Sequence, residues 1–384
     1  MAAALLGAAA APAATHEYHV TLSEDLRQLD VEARFDGSVR SVWARRRDAR
    51  DYLVESRTCD GGPLPRTGSR LTSPSGKLSC LAYTVDLGKA ADENARLQAF
   101  GQATLVLPVN DWMWRPRLGG ADEILVTFDL PQGVNVSVPW QPLANEPATF
   151  RLLSSPQSGT GLAIFGHFDA SVVRVGEAEL RIVALPTREG PIDPALTDWT
   201  GQTAANITLA YGRFPNPDAR VVLFPVAGRR GGSAVPFGRV VRDGGETIEL
   251  LVDPDQSEES FLGDWTATHE FTHLMLPYVG RSDRWVSEGF AQYYQNVLLA
   301  RAGRHSPEEA WRKIGEGLER GRQSAPHLSP GEATSAAERN TRMKIYWSGA
   351  ALALIADIEL RRRSGGRESL DVVLDRFQAC CLPS

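Results

Sequence analysis

The run His269-Glu270-Phe271-Thr272-His273 sets two imidazoles and a carboxyl at a spacing that suits metal chemistry. Residues four apart on a helix share a face, so both histidines can aim ring nitrogens at one ion. Glu270 sits beside them, placed to take a proton from a water that the ion activates. Glu288, within Trp285-Val-Ser-Glu288-Gly-Phe-Ala-Gln-Tyr-Tyr, opens what reads as a second helix and offers a third ligand. Three protein ligands with an open fourth position is the arrangement of catalytic zinc; structural zinc closes all four. The competing reading is a pair of core histidines hydrogen-bonded to their neighbours. Context weighs against it. Phe261 to Trp265 leads in, Leu274, Met275 and Leu276 carry the helix on, and Pro277 ends it. A short turn to Arg284 then precedes an amphipathic run from Trp285 to Leu299.

The elements that must position these residues can be read on either side. From Tyr18 to about Trp140, short alternating runs broken by turn residues predict a β-rich domain, with strands at Leu81–Leu87, Ala103–Pro108, Ile124–Leu130 and Val134–Val138. Pro139 to Pro147, with three prolines in nine residues, reads as a linker. Beyond it strands are expected near Gly161–Phe165, Ala178–Leu185, Arg220–Pro225 and Thr247–Val252, with a helix over Gly201–Tyr211. The remainder reads as helical, over Pro307–Glu319, Tyr346–Arg363 and Ser369–Phe377. Strands leading into a helical half make an α+β fold. The expected division is a leader over 1–15, a β-rich domain over 16–145 and a catalytic domain over 146–384.

Composition narrows the partners. The 384 residues are 42% hydrophobic and 23% charged, as in a soluble globular protein, and the net charge is −6. That balance argues against nucleic acid, which calls for a basic stripe. Arg229-Arg230 and Arg361-Arg362-Arg363 are short clusters that read as solvated faces. Met1 to Ala14 is alanine-rich, apolar and uncharged, too short to span a bilayer, and Ala11-Pro12-Ala13 resembles a signal cleavage site. Export to a periplasmic or secreted location is expected, although no Lys or Arg precedes the apolar stretch. Cys59 and Cys80 flank a Gly/Pro/Ser-rich loop that a disulfide could close, with four free or buried thiols as the alternative. Cys380 and Cys381 are adjacent, where a mutual bridge would be strained.

The chain resembles the gluzincin metallopeptidases, most closely the glycyl aminopeptidase family. The likeness rests on His269-Glu270-x-x-His273, on the Trp285 to Tyr294 run, on Tyr346-Trp-Ser-Gly349, and on Asp357 to Arg363 with Ser369 to Val373. It implies a thermolysin-like catalytic domain behind a β-rich domain, without the PDZ module that commonly follows in that family. Carried over by position, His269, His273 and Glu288 would hold zinc and Glu270 would be the general base. Tyr346 would donate a hydrogen bond to the developing oxyanion, a fitting task for a phenol that is neutral at pH 7.

This chain departs from the family in three places. The loop between His273 and Glu288 is shorter. Gln295, two helical turns beyond Glu288, stands where related aminopeptidases often carry glutamate. Those relatives also place a glutamate on an edge strand before the zinc helix, to capture the substrate's free amine. The corresponding segment, Gly231 to Val240, contains no acid. Such a strand can still add a peptide through main-chain hydrogen bonds. The expected activity is zinc-dependent hydrolysis of peptide or protein substrates. The alternatives are a non-catalytic partner-binding protein on a peptidase scaffold, and a zinc hydrolase acting on non-peptide substrates.

Overall fold

The computed structural model describes residues 13–37, 39–98, 104–154, 159–226, 232–336 and 340–381. Residues 1–12 of the proposed leader over 1–15, and the Arg229-Arg230 pair, lie outside them. The chain divides into two compact units, the first holding the described residues up to 167 together with 242–245, the second holding the rest.

In the first unit, alternating burial marks the strands. Leu29, Val31 and Ala33 face the core from Gln28–Arg34, and Leu81, Tyr83 and Val85 face it from Cys80–Asp86. That period of two sends one face of a sheet inward. The main sheet has seven strands, with Thr15–Leu22 central, antiparallel to Gln28–Arg34 and parallel to Glu123–Asp129. Trp112, Trp114 and Trp140 fill its core. Cys59 and Cys80 form a disulfide with their Cα atoms 5.5 Å apart, as the loop between them suggested. Cys380 is disulfide-bonded too, although adjacency with Cys381 argued for strain; the Cys381 side chain lies outside the described residues.

The proline-rich segment is not a linker. Gln141–Leu143 and Glu146–Leu153 are antiparallel strands of the main sheet, and Trp140 is fully buried. The first unit therefore continues to residue 167, past the 145/146 boundary drawn from composition. Pro142 lies on Gln141–Leu143, the edge strand of the sheet, where proline is compatible with strand structure.

The second unit carries a five-stranded sheet in the order Asp169–Val175, Ala178–Ala184, Asp218–Pro225, Glu246–Val252, Phe237–Arg242. Its three middle strands run parallel. Asp218–Pro225 is buried along nearly its whole length, as parallel strands covered on both faces are. Phe237–Arg242 lies at the margin of the sheet; it overlaps the segment read as the edge strand, Gly231 to Val240, and runs two residues beyond it. Asp169–Val175 escaped sequence reading because its residues are mostly exposed and do not alternate. The helix expected over Gly201–Tyr211 runs over Ala195–Ile207, begun by Pro194 with the Asp193 carboxylate accepting from the Ala195 N–H. The helical half follows, with helices Thr266–Thr272, Arg284–Arg301, Pro307–Gln323, Arg342–Ser364 and Leu370–Cys381. Strand-rich then helix-rich, the architecture is α+β. No helix among the described residues is long and apolar enough to cross a membrane.

Candidate metal centre

His269 and Glu270 lie in the short helix Thr266–Thr272, whose first amide is held by the Asp264 carboxylate at 2.7 Å. At His273 the helix tightens into a 3-10 turn that ends at Met275, so it stops short of the Leu276 expected from the apolar run. Glu288 sits in the first part of Arg284–Arg301. Tyr346 comes from Arg342–Ser364.

These last two helices cross at glycines. A Cβ on Gly289 would stand 2.1 Å from the Gly349 Cα, and one on Gly349 would stand 2.0 Å from the Trp285 carbonyl oxygen. Only a pair of glycines permits that approach. The residues next to and near them, Glu288 and Tyr346, are thereby brought to the same site. Gly317 similarly admits the Trp347 ring, and Gly321 the Trp347 Cβ, between Pro307–Gln323 and Arg342–Ser364.

The donor atoms of His269, His273 and Glu288 lie within 4.8 Å of one another. Glu288 Oε2 is 3.3 Å from His269 Nε2 and 3.5 Å from His273 Nε2. A tetrahedron with bonds of about 2.1 Å has edges of about 3.4 Å, so these spacings match the edges of a zinc coordination shell. The other ring nitrogens are already engaged. His269 Nδ1 donates to Gln295 Oε1 at 2.8 Å, and His273 Nδ1 lies 3.0 Å from Ser287 Oγ. The bond to Gln295 leaves the His269 Nε2 lone pair for an ion, and the Ser287 hydroxyl can accept from His273 Nδ1 to the same effect. The second carboxylate oxygen of Glu288 accepts from Arg284 Nε at 2.9 Å. The donor set fits zinc.

The electrostatics agree. Burial would raise the Glu288 carboxyl, but its hydrogen bonds with His269 and His273 outweigh burial and hold it well below the usual range. Burial lowers the His269 imidazole, and its bond to Glu288 together with the charge of Glu270 more than offsets this and raises it. A carboxylate kept ionised between two imidazoles suits a bound cation. Burial pushes Glu270 above an ordinary glutamate, while the histidines beside it pull the other way. Gly238 of the edge strand packs on Glu270, where an added Cβ would meet the glutamate Cγ at 2.5 Å. The Tyr346 ring stacks on His269 with 5.7 Å between centroids, and burial followed by the charge of Glu288 pushes its phenol up to about 12.

Every residue singled out in the motif is thus brought to one place. Sequence reading missed Arg284 and Ser287. The i, i+4 spacing of Arg284 and Glu288 was a readable signal for the first; nothing in the local pattern marked the second.

The M61 glycyl aminopeptidase family model matches residues 278–352, a segment that includes Glu288 and Tyr346 and begins just after His273. No curated protein matches the chain. Among solved structures it is similar to an aminopeptidase N family protein from Idiomarina loihiensis, at 14% identity and a TM-score of 0.63, over 95% of this chain and 70% of that one. It is also similar to an M1 zinc metallopeptidase from Deinococcus radiodurans, at 15% identity and a TM-score of 0.52, over 95% and 84%. A variant of that enzyme bound to a Tyr-Ser-Ala substrate matches at 17% identity and a TM-score of 0.52, again over 95% and 84%. The solved structures show the fold. With the M61 match, they support a zinc-dependent hydrolase of the metallopeptidase kind and repeat the likeness read from the motifs.

Proposed function

We propose that the protein hydrolyses peptide bonds at the His269, His273 and Glu288 centre, with Glu270 as general base and Tyr346 as oxyanion donor. The observation that carries this is the spacing of the three donors at tetrahedral-edge distances with a buried carboxyl beside them. Zinc bound there would supply Lewis acidity toward the scissile carbonyl and toward the attacking water. Glu270 takes the proton from that water and later passes it to the leaving amine. Tyr346 stays a neutral phenol at pH 7 and donates its O–H to the carbonyl oxygen as charge builds there. Arg284 fixes the Glu288 carboxylate, and Gln295 and Ser287 fix the imidazoles, so the donors are organised before substrate arrives.

The alanine-rich leader supports a periplasmic or secreted site of action. The ligand assignment is tested by metal content. Wild-type protein is expected to carry about one zinc per chain, and His269→Ala or Glu288→Ala to lose most of it by removing one of three ligands. Full occupancy in both variants would contradict the assignment.

A further inference from the structure

A cavity of about 270 Å³ in the second unit lies against side chains that pack around His269. Its wall includes Trp265, Gln295 and Tyr346, the same side chains that surround His269 with an edge contact, a hydrogen bond and a stacked ring. A peptide whose scissile bond lies at the centre therefore has this cavity for a neighbour. Three of its remaining lining residues are cationic. Lys313, Arg320 and Arg342 all contribute, and no aspartate or glutamate does.

The cations differ in how far they are already neutralised. Lys313 lies 3.3 Å from Glu309, and its ammonium also meets His305. Arg320 and Arg342 make no ion pair among the described residues. Each instead lays its guanidinium over an aromatic face, Arg320 over Trp347 at 5.5 Å and Arg342 over Tyr346 at 5.3 Å. Stacking fixes the plane of a guanidinium while leaving its N–H edge for a carboxylate. A further donor supports the reading. Gln292 is 7% exposed, lines the same cavity, and its carboxamide has no hydrogen bond among the described residues.

Resting on the peptidase reading above, we infer that this cavity is a specificity pocket for a carboxylate group of the substrate, held by Arg320 and Arg342 with Gln292 as a neutral donor. The carboxylate can come from an acidic side chain or from the free C-terminus of a short peptide. The chemistry is the same, and the two sources are separable.

The test is calorimetric titration of zinc-loaded Glu270→Gln protein, which binds without turning over. The probes are Ala-Ala-Ala against its C-terminal amide, and Ala-Glu-Ala amide against Ala-Gln-Ala amide. One carboxylate peptide is expected to bind at least about tenfold tighter than its neutral match, within the range of charge-assisted hydrogen bonds, and the pair that shows it names the source. Introducing Arg320→Gln or Arg342→Gln singly should cut that margin to below about threefold, as removing one partner of a charged contact does. Equal or undetectable binding within both pairs overturns the inference, as does a margin that survives both substitutions, since the carboxylate would then be held elsewhere. The peptidase reading fails separately, when the wild type cleaves no peptide.

Discussion

Glu288 is the residue on which the site converges. One of its oxygens faces both imidazoles and the other is fixed by Arg284, so its geometry is set from two sides. The motif spacing was enough to nominate it with His269 and His273, because helical periodicity is local. The outer hydrogen bonds were harder to see. Gln295 could be placed two turns on from Glu288, but its bond to His269 crosses between helices and depends on tertiary packing. The absence of an acid on the edge strand also acts at this scale. Phe237–Arg242 carries Arg239 and Arg242, and Arg239 lies 2.6 Å from Glu249. An aminopeptidase pairs the substrate's ammonium with a carboxylate near the metal. Lacking one on this strand, the protein is expected to lose less than about tenfold in kcat/KM when a peptide's amine is acetylated, the scale of an exposed ionic contact. Comparing free and acetylated forms of one peptide measures this. Complete inactivity on the blocked peptide would place the amine-binding acid elsewhere.

Among the elements, the crossing of Arg284–Arg301 with Arg342–Ser364 brings Glu288 and Tyr346 together. Gly289 and Gly349 were visible in the sequence as parts of two motifs. Nothing there showed that they touch, since contact between residues sixty positions apart is a property of packing. The structure gives them a shared steric task. Gly289→Ala should therefore force the helices apart, lowering stability by about 1–3 kcal/mol, as overpacking does, and weakening zinc binding with it. Thermal unfolding with a zinc titration reads both effects. Unchanged values in both would mean the crossing tolerates a methyl group. The short strands of the first unit were legible for the opposite reason. Alternating burial is written residue by residue, as in Gln28–Arg34 and Cys80–Asp86, whereas Glu146–Leu153 here and Asp169–Val175 in the second unit do not alternate and left no such record.

On the scale of the whole molecule, the strand-rich and helix-rich halves followed from composition and periodicity, but the boundary between units did not. Prolines near 139–147 suggested a break, whereas pairing of Gln141–Leu143 with Glu146–Leu153 keeps the chain in the main sheet. The Cys59–Cys80 bridge suits an oxidising compartment, in keeping with the proposed export. Exported protein is expected to begin near Ala14, with neither Cys59 nor Cys80 alkylated unless reductant is added. N-terminal sequencing and peptide mass mapping check both, and two free thiols would count against the bridge and the compartment together. The central claim is that Glu270 carries the proton in zinc-dependent peptide hydrolysis. Its most direct test compares zinc content and peptide turnover in wild type and Glu270→Gln. Retained zinc, an unchanged unfolding temperature and a loss of at least about 10²-fold in kcat are predicted, in line with removal of a general base. A zinc-loaded Glu270→Gln protein that turns over at the wild-type rate would contradict it.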